Sequence, residues 1–476
     1  MNLKNANKTK TAIAIGAITM TATFALQTAQ AANLQAAVAK ADISPSPGGQ
    51  MWGYSNRSGP GEGSIDPLMA KVLVLADGKT AVAIVTLDLG RTLEDELLEK
   101  IRADVAKTGM NTVTFVASHT HHAPSVELGE WPSKSNAWVT QAAHKITQAI
   151  LSAAGNLRDA KIGVGYGEVD EGHNRRHHNS DGTIQMRWRN AERAKTSPVD
   201  KTVTVLRVDS ADGKPMTLLV NYACHPVVLG PDNLKYSADW CGVMMKNVEA
   251  ELGTQCMFAQ GACGDINPYV DKTPLAKGGL ASMTTMGERI AKEVARIGQS
   301  IETVSAKDGG SVKYVTRQFQ MQPRWNMTDP ESKAAIFKRY AAYIERMGKD
   351  AIDKYLGRYV HPMDAQSTTI VINDEIAMAG FPGEFFVEFQ TDLRRRSPAK
   401  HTMFFGYADG YWAYFPTIQA AAEGGYGADY QTFVAVGTGE ELVDRAVMDI
   451  HELMGHWSKA PGTDVADFPG QTDDLK

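Results

Sequence analysis

Two unbroken apolar runs, KVLVLA (71–76) and AVAIVTLD (81–88), stand only four residues apart. Neither alternates polar with apolar positions, so both read as buried strands. The segment TLEDELLEKIRADVAK (92–107) then reads as a helix with an acidic first turn, VTFVAS (113–118) as a strand, and 135–154 as a helix. Further on, TVTVLRV (202–208) and MTLLVNYA (216–223) predict a hairpin around Ala211-Asp212-Gly213. Segments 283–298, 330–347 and 437–456 have helical periodicity, and IVINDEIAMAG (370–380) reads as two short strands around Asn373-Asp374. Strands and helices interleave without a strict βαβ rhythm. That predicts an α/β fold with a mixed β-sheet core and flanking helices. No linker or repeat divides the chain, so 32–458 reads as one large domain and 459–476, rich in Asp, Gly and Pro, as a flexible tail.

The first 31 residues follow different rules. Lys4, Lys8 and Lys10 precede a short apolar stretch, and Ala29-Gln30-Ala31 supplies an A-x-A cleavage site. This is the layout of a signal peptide, so the mature chain is expected to start at Ala32 and to be periplasmic or secreted. Losing three lysines and no acid shifts the formal charge from −5 to −8. An acidic surface gives no electrostatic reason to bind nucleic acid. Nothing after Ala32 is long and apolar enough for a membrane span, though peripheral contact with a lipid surface fits the composition. Cys224, Cys241, Cys256 and Cys263 have no C-x-x-C spacing. Two disulfides and four buried thiols suit them equally.

The chemistry gathers where strands run out. In VTFVASHTHHAPS, His119 and His121 are expected to share one face of an extended segment while Thr120 points away. His225 ends the strand of MTLLVNYACHPVV, and YSADWCG follows with Ser237 and Asp239. A third strand end, CMFAQGACGDINPY, carries Asp265 and Asn267. A fourth, IAMAGFPGEFFVEF, sets Glu384 at the expected start of a helix, where an acid suits the macrodipole or a metal. A fifth crowds Tyr407, Tyr411 and Tyr414. Separated histidines, a carboxylate and a phenol form a ligand set suited to Zn²⁺ with an exchangeable position. H-E-x-x-H, G-x-S-x-G, G-x-G-x-x-G and P-loop motifs are absent.

The ordered set resembles the neutral/alkaline (non-lysosomal) ceramidase family, zinc amidases that cut N-acylsphingosines. KADISP (40–45) and MWGY (51–54) resemble its opening. SHTHHAP (118–124) resembles its Thr-His-Thr-His-Ser-Gly-Pro loop, and HNRR (173–176) its Ile-Asn-Arg-Ser. CHP with YSADWCG, GACGDINP (261–268), PGEF (382–385) and YWAYFPT (411–417) complete the series. The resemblance implies one zinc per chain held by His119, His225, Glu384 and Tyr414, with His121, Arg175 and Tyr426 lining the catalytic pocket. Arg175 and Tyr426 rest on resemblance alone.

Two departures follow. The family's Gly-Asp-Val-Ser-Pro is Gly264-Asp265-Ile266-Asn267-Pro268 here, so an amide replaces a hydroxyl. Asn267 can donate a hydrogen bond to an oxyanion but cannot be acylated. The family's immunoglobulin-like C-terminal domain also has no counterpart in this sequence. The reading is therefore a catalytic domain alone: a zinc-dependent hydrolase cleaving the amide of an N-acylsphingosine or related N-acyl lipid by metal-activated water. The alternatives are a related zinc hydrolase of a more polar amide, ester or lactone, or a metal-bearing binding protein without turnover.

Overall fold

In the strand Met69–Ala76, Val72 and Val74 face one way, Leu73 and Leu75 the other, and all four are fully buried. Two buried faces require a covering layer on each side. The computed structural model, which describes residues 33–126, 137–306 and 309–457, supplies both. Val72, Val74 and Val85 pack beneath helices Asp95–Ala106 and Ala137–Ala154. Leu73, Leu75 and Ile84 pack against Ile370, Met378 and Phe405 of a second sheet. That second sheet is covered in turn by helices Val387–Arg396 and Thr438–Leu453. The layers run helix, sheet, sheet, helix. All described residues fall within one compact unit, 32–476.

The larger sheet has eight strands in the order 255–260, 215–222, 202–210, 158–168, 35–42, 69–76, 81–87, 112–117. The smaller has four, in the order 312–321, 363–372, 376–380, 401–405. Both sheets are mixed, with parallel pairs only at three edges: 81–87 with 112–117, 215–222 with 255–260, and 376–380 with 401–405. Each parallel pair is joined through a helix, and their carboxyl ends lead into His119, His225 and Glu384. Ligand sites in α/β sheets form at such ends.

Most expected elements are present with shifted ends. The first helix begins at Asp95 rather than 92. The single helix expected over 330–347 is two, Pro330–Arg339 and Ala341–Met347, because Tyr340 leaves helical geometry (φ −92°, ψ 10°), and a third follows at Lys349–Gly357. Asn373 and Asp374 turn the expected hairpin with positive φ at both residues. Strand Arg158–Glu168 escapes sequence reading because Gly163, Gly165 and Gly167 weaken its β signal. They are there for packing. A Cβ on Gly165 would fall 2.7–2.8 Å from Ile301 and Ile297, at the end of the helix Gly279–Ser300 lying across the strand.

All four cysteines are free and buried, so of the two readings left open the thiols stand. Burial raises each thiol pKa, that of Cys256 to about 12. The expected signal peptide 1–31, the first two residues of the 135–154 helix and the 459–476 tail lie outside the described residues. Among the described residues no helix is long and apolar enough to cross a membrane.

Candidate metal centre

His119 is not extended, as alternation along the segment would require. It sits at φ +68°, a left-handed kink directly after strand Thr112–Ala117. The kink still brings the two imidazoles together, with Nε2 atoms 3.4 Å apart and rings nearly perpendicular. The intended outcome arises by a different backbone. His122 turns the other way, toward Asn233, the Leu229 carbonyl and Arg57.

His119 Nδ1 lies 2.8 Å from the Gly90 carbonyl, and His225 Nδ1 lies 3.0 Å from the Ile266 carbonyl. A carbonyl only accepts, so both Nδ1 atoms carry the proton and both Nε2 lone pairs face inward. They face Glu384, whose Oε2 is 3.3 Å from His119 Nε2 and 3.2 Å from His225 Nε2. The donor atoms of His119, His121 and His225 lie within 4.8 Å of one another. Three acceptor atoms thus converge at residues no more than 2% exposed. Such a cluster takes up either a proton or a metal cation, and imidazole nitrogen with carboxylate oxygen is a donor set that suits Zn²⁺. The residues fit the metal.

Glu384 is not at a helix start. It pairs in a two-residue parallel ladder with Tyr414, and the helix begins at Val387, because Pro382-Gly383 and this ladder keep the chain extended. Tyr411 donates its phenol to Glu384 Oε1 at 2.5 Å, and Tyr407 approaches Oε2 at 3.4 Å. Burial alone would raise the Glu384 carboxyl, but positive charge gathered at His119 and His225 holds it well below its usual range. Burial, reinforced by His119 and His225, pushes His121 well below 6.5, so its ring is neutral near pH 7. His121 Nδ1 has no hydrogen-bond partner among the described residues.

Arg175 forms the second half of the site. Its guanidinium donates to the Gly264 carbonyl at 2.6 Å and to Asn267 Oδ1 at 3.0 Å, and lies 5.2–5.4 Å from the ring centroids of Tyr426 and Tyr414. Asn267 in turn donates to Asp271 at 3.0 Å. Its amide is engaged at both ends, and it holds Arg175. Seven of the eight expected site residues line one cavity of about 640 Å³, and fully buried His119 stands behind them. Ser237, by contrast, donates to Asp66 and accepts from the Asp239 backbone, away from this cavity.

Sequence reading assigned no site role to several residues. Trp52 packs edge-on against both His119 and His121 at 5.0 Å, and Gly53 beside it has φ +100°. A Cβ there would fall 2.6 Å from His121. Trp52 and Gly53 sit in MWGY, whose only signal was family likeness. Tyr411 lay in view among crowded tyrosines. Gln260 was invisible: its fully buried side-chain amide donates to the carbonyls of Ser118 and Cys224, the residues preceding His119 and His225, at 3.0 Å each.

The family model described as neutral/alkaline non-lysosomal ceramidase, N-terminal, matches residues 35–254. That stretch holds His119, His121, Arg175 and His225, while Asn267, Glu384, Tyr414 and Tyr426 lie beyond it. Among solved structures, the neutral ceramidase from Pseudomonas aeruginosa superposes with a TM-score of 0.69 at 16% identity, over 92% of this chain and 77% of that one. A ceramidase complexed with C2 gives 0.68 at 16% identity, over 91% and 78%. At that identity the likeness is one of fold.

Proposed function

We propose that this chain is a member of the neutral/alkaline non-lysosomal ceramidase family, whose model matches residues 35–254, and an exported zinc-dependent hydrolase. Its reaction is cleavage of the amide of an N-acylsphingosine or related N-acyl lipid. The observation that carries the reading is the convergence of His119 Nε2, His225 Nε2 and Glu384 Oε2 on one buried point beside a cavity. His119, His225, Glu384 and Tyr414 would hold one zinc. When bound, the ion supplies Lewis acidity toward an acyl carbonyl and acidifies water.

The protein's own groups divide the remaining work. His121 is neutral, and unlike the other two histidines no carbonyl among the described residues fixes its Nδ1. It takes a proton from the attacking water and passes it to the leaving amine. Arg175 and Tyr426 place a positive charge and a phenol where the carbonyl oxygen gains charge. Asn267 holds Arg175 through its carbonyl oxygen. Water is the nucleophile: Asn267 occupies the family's serine position, and Cys263 is buried with its thiol pKa raised well above 9. The products are a carboxylic acid and a free amine.

Hydrolysis of a fluorescent short-chain N-acylsphingosine by the purified mature protein tests this reading. Activity that disappears with a chelator and returns with zinc is expected. Zinc-loaded protein inert toward that substrate and toward simple amides would overturn it.

A further inference from the structure

The walls of the cavity are strongly one-signed. Among the described residues that line it, Glu384 is the sole carboxylate, against Arg91, Arg175, Lys272, Arg346 and Arg358. Three of these cations are committed nearby. Arg91 pairs with Glu94 at 2.6 Å, Lys272 with Asp271 at 2.6 Å, and Arg175 is held by Asn267 and Gly264. Arg346 and Arg358 are different. Both are exposed, and among the described residues neither has a carboxylate within 4.0 Å. Arg346 donates to the Ala342 carbonyl and lies 5.1 Å from the Tyr343 ring centroid. Glu94 and Asp95 act on Arg358 only at longer range, and Glu94 is already bonded to Arg91.

A third group on the same stretch lacks a partner. Tyr340 is 3% exposed and lines the cavity, yet its hydroxyl has no hydrogen-bond partner among the described residues. A buried hydroxyl left unpaired is costly, so such a group is normally matched by a partner. The stretch 340–358 therefore offers one orphan donor and two unpaired guanidiniums to a single cavity. A cleft lined by one sign of charge concentrates ligands of the other.

We propose that Tyr340, Arg346 and Arg358 form a subsite for an anionic group, and that among N-acyl amides the site favours those carrying a carboxylate, sulfonate or phosphate on the amine part. This rests on reading the site as an amide hydrolase. The anion docks at 340–358 while the acyl carbonyl reaches the histidines and Glu384. Guanidinium forks suit any of these oxyanions.

The test uses N-lauroyl amides with one acyl chain and three amine parts: glycine (carboxylate), taurine (sulfonate) and glycinamide (neutral). The expected kcat/KM is about tenfold higher for the anionic amides, the scale of one well-placed ion pair. The advantage should shrink as salt rises. It should fall to near parity in Arg346→Ala/Arg358→Ala, survive in Arg346→Lys/Arg358→Lys, and weaken in Tyr340→Phe. Preference for glycine or for taurine supports the proposal and says which headgroup the site takes. Equal kcat/KM across the three overturns it and leaves the amide hydrolase standing. Calorimetric binding of the same compounds separates the two claims if none is cleaved. Anion-selective binding lost in the double alanine variant upholds the subsite while the hydrolase reading falls. Equal binding overturns the subsite.

Discussion

Gln260 and Ser118 lie at opposite edges of the eight-stranded sheet, yet the Gln260 amide donates to the Ser118 carbonyl at 3.0 Å. The sheet therefore curls until its first and last strands meet. The segment after 401–405 stitches the gap, with Ala117 N–H donating to the Tyr407 carbonyl and Gly406 N–H to the Gln260 carbonyl. The same Gln260 amide also bonds the Cys224 carbonyl, so one side chain sets the spacing of both histidine-bearing strand ends.

Gln260→Ala is expected to strip two buried carbonyls of their donor, at about 1–3 kcal/mol each. It should lower zinc affinity roughly 10–100-fold although Gln260 touches no proposed ligand, since outer groups orient inner ones. Thermal melts and zinc competition against a chromogenic chelator read both effects. Unchanged zinc affinity in a folded Gln260→Ala protein would show that the strand ends hold their spacing without it.

His225→Ala and Glu384→Ala should each lose zinc, and with it activity, while the fold persists, because both residues follow the ends of the large sheets' strands rather than lying within those sheets. His121→Ala should keep zinc and lose on the order of 10²–10⁴ in kcat, the usual scale for a removed general acid/base. Elemental analysis beside turnover separates the two classes. Loss of metal from His121→Ala as complete as from His119→Ala would collapse the distinction.

The engagement of Asn267 with Arg175 changes what its replacement should do. Asn267→Ala frees the guanidinium and should cost on the order of 10²–10³ in kcat, comparable with loss of an oxyanion donor. Asn267→Ser keeps an acceptor and should retain most activity. Quenching during turnover should yield no acyl adduct by intact-mass measurement. An adduct on any side chain would refute water as the nucleophile.

Asp88 gives a pH signature independent of the site. Burial pushes its carboxyl up to about 7, against the pull of Lys71. The folded state thus keeps a proton that the unfolded chain releases near 3.8. Between those values the native state binds more protons, so stability falls as pH rises, by at most ~1.4 kcal/mol per unit, and levels off above about 7. Asp88→Asn should gain stability at pH 8 relative to pH 5. Asp66 and Asp239, raised to about 6 and 7, leave part of the slope in place. An identical mutant-minus-native difference in melting temperature at both pH values would exclude titration of Asp88.

Strand ends were legible because apolar runs such as VTFVA stop abruptly at polar residues. That abruptness exposed His119, His225 and the neighbourhood of Glu384 without any three-dimensional knowledge. What stayed hidden were relations between distant segments. Alternation along SHTHHAP could not foresee the left-handed turn at His119, which depends on hydrogen bonds to 89–90. Gln260 looked like an ordinary strand residue, since a neutral amide carries no chemical signal until two carbonyls are placed around it. The glycines of 158–168 argued against a strand until the helix lying across them explained the missing side chains. Nothing in the sequence singles out Arg346 or Arg358, and only the layout of the cavity makes them neighbours of the site.

The four thiols, buried and each with a raised pKa, leave no thiolate for an oxidant to meet. Oxidation of the cysteines must wait for the chain to open, so its rate is tied to unfolding rather than to the redox poise of the surroundings. The four cysteines should stay free thiols in oxidising and reducing media alike, and their slow loss under peroxide becomes a readout of how often the core breathes.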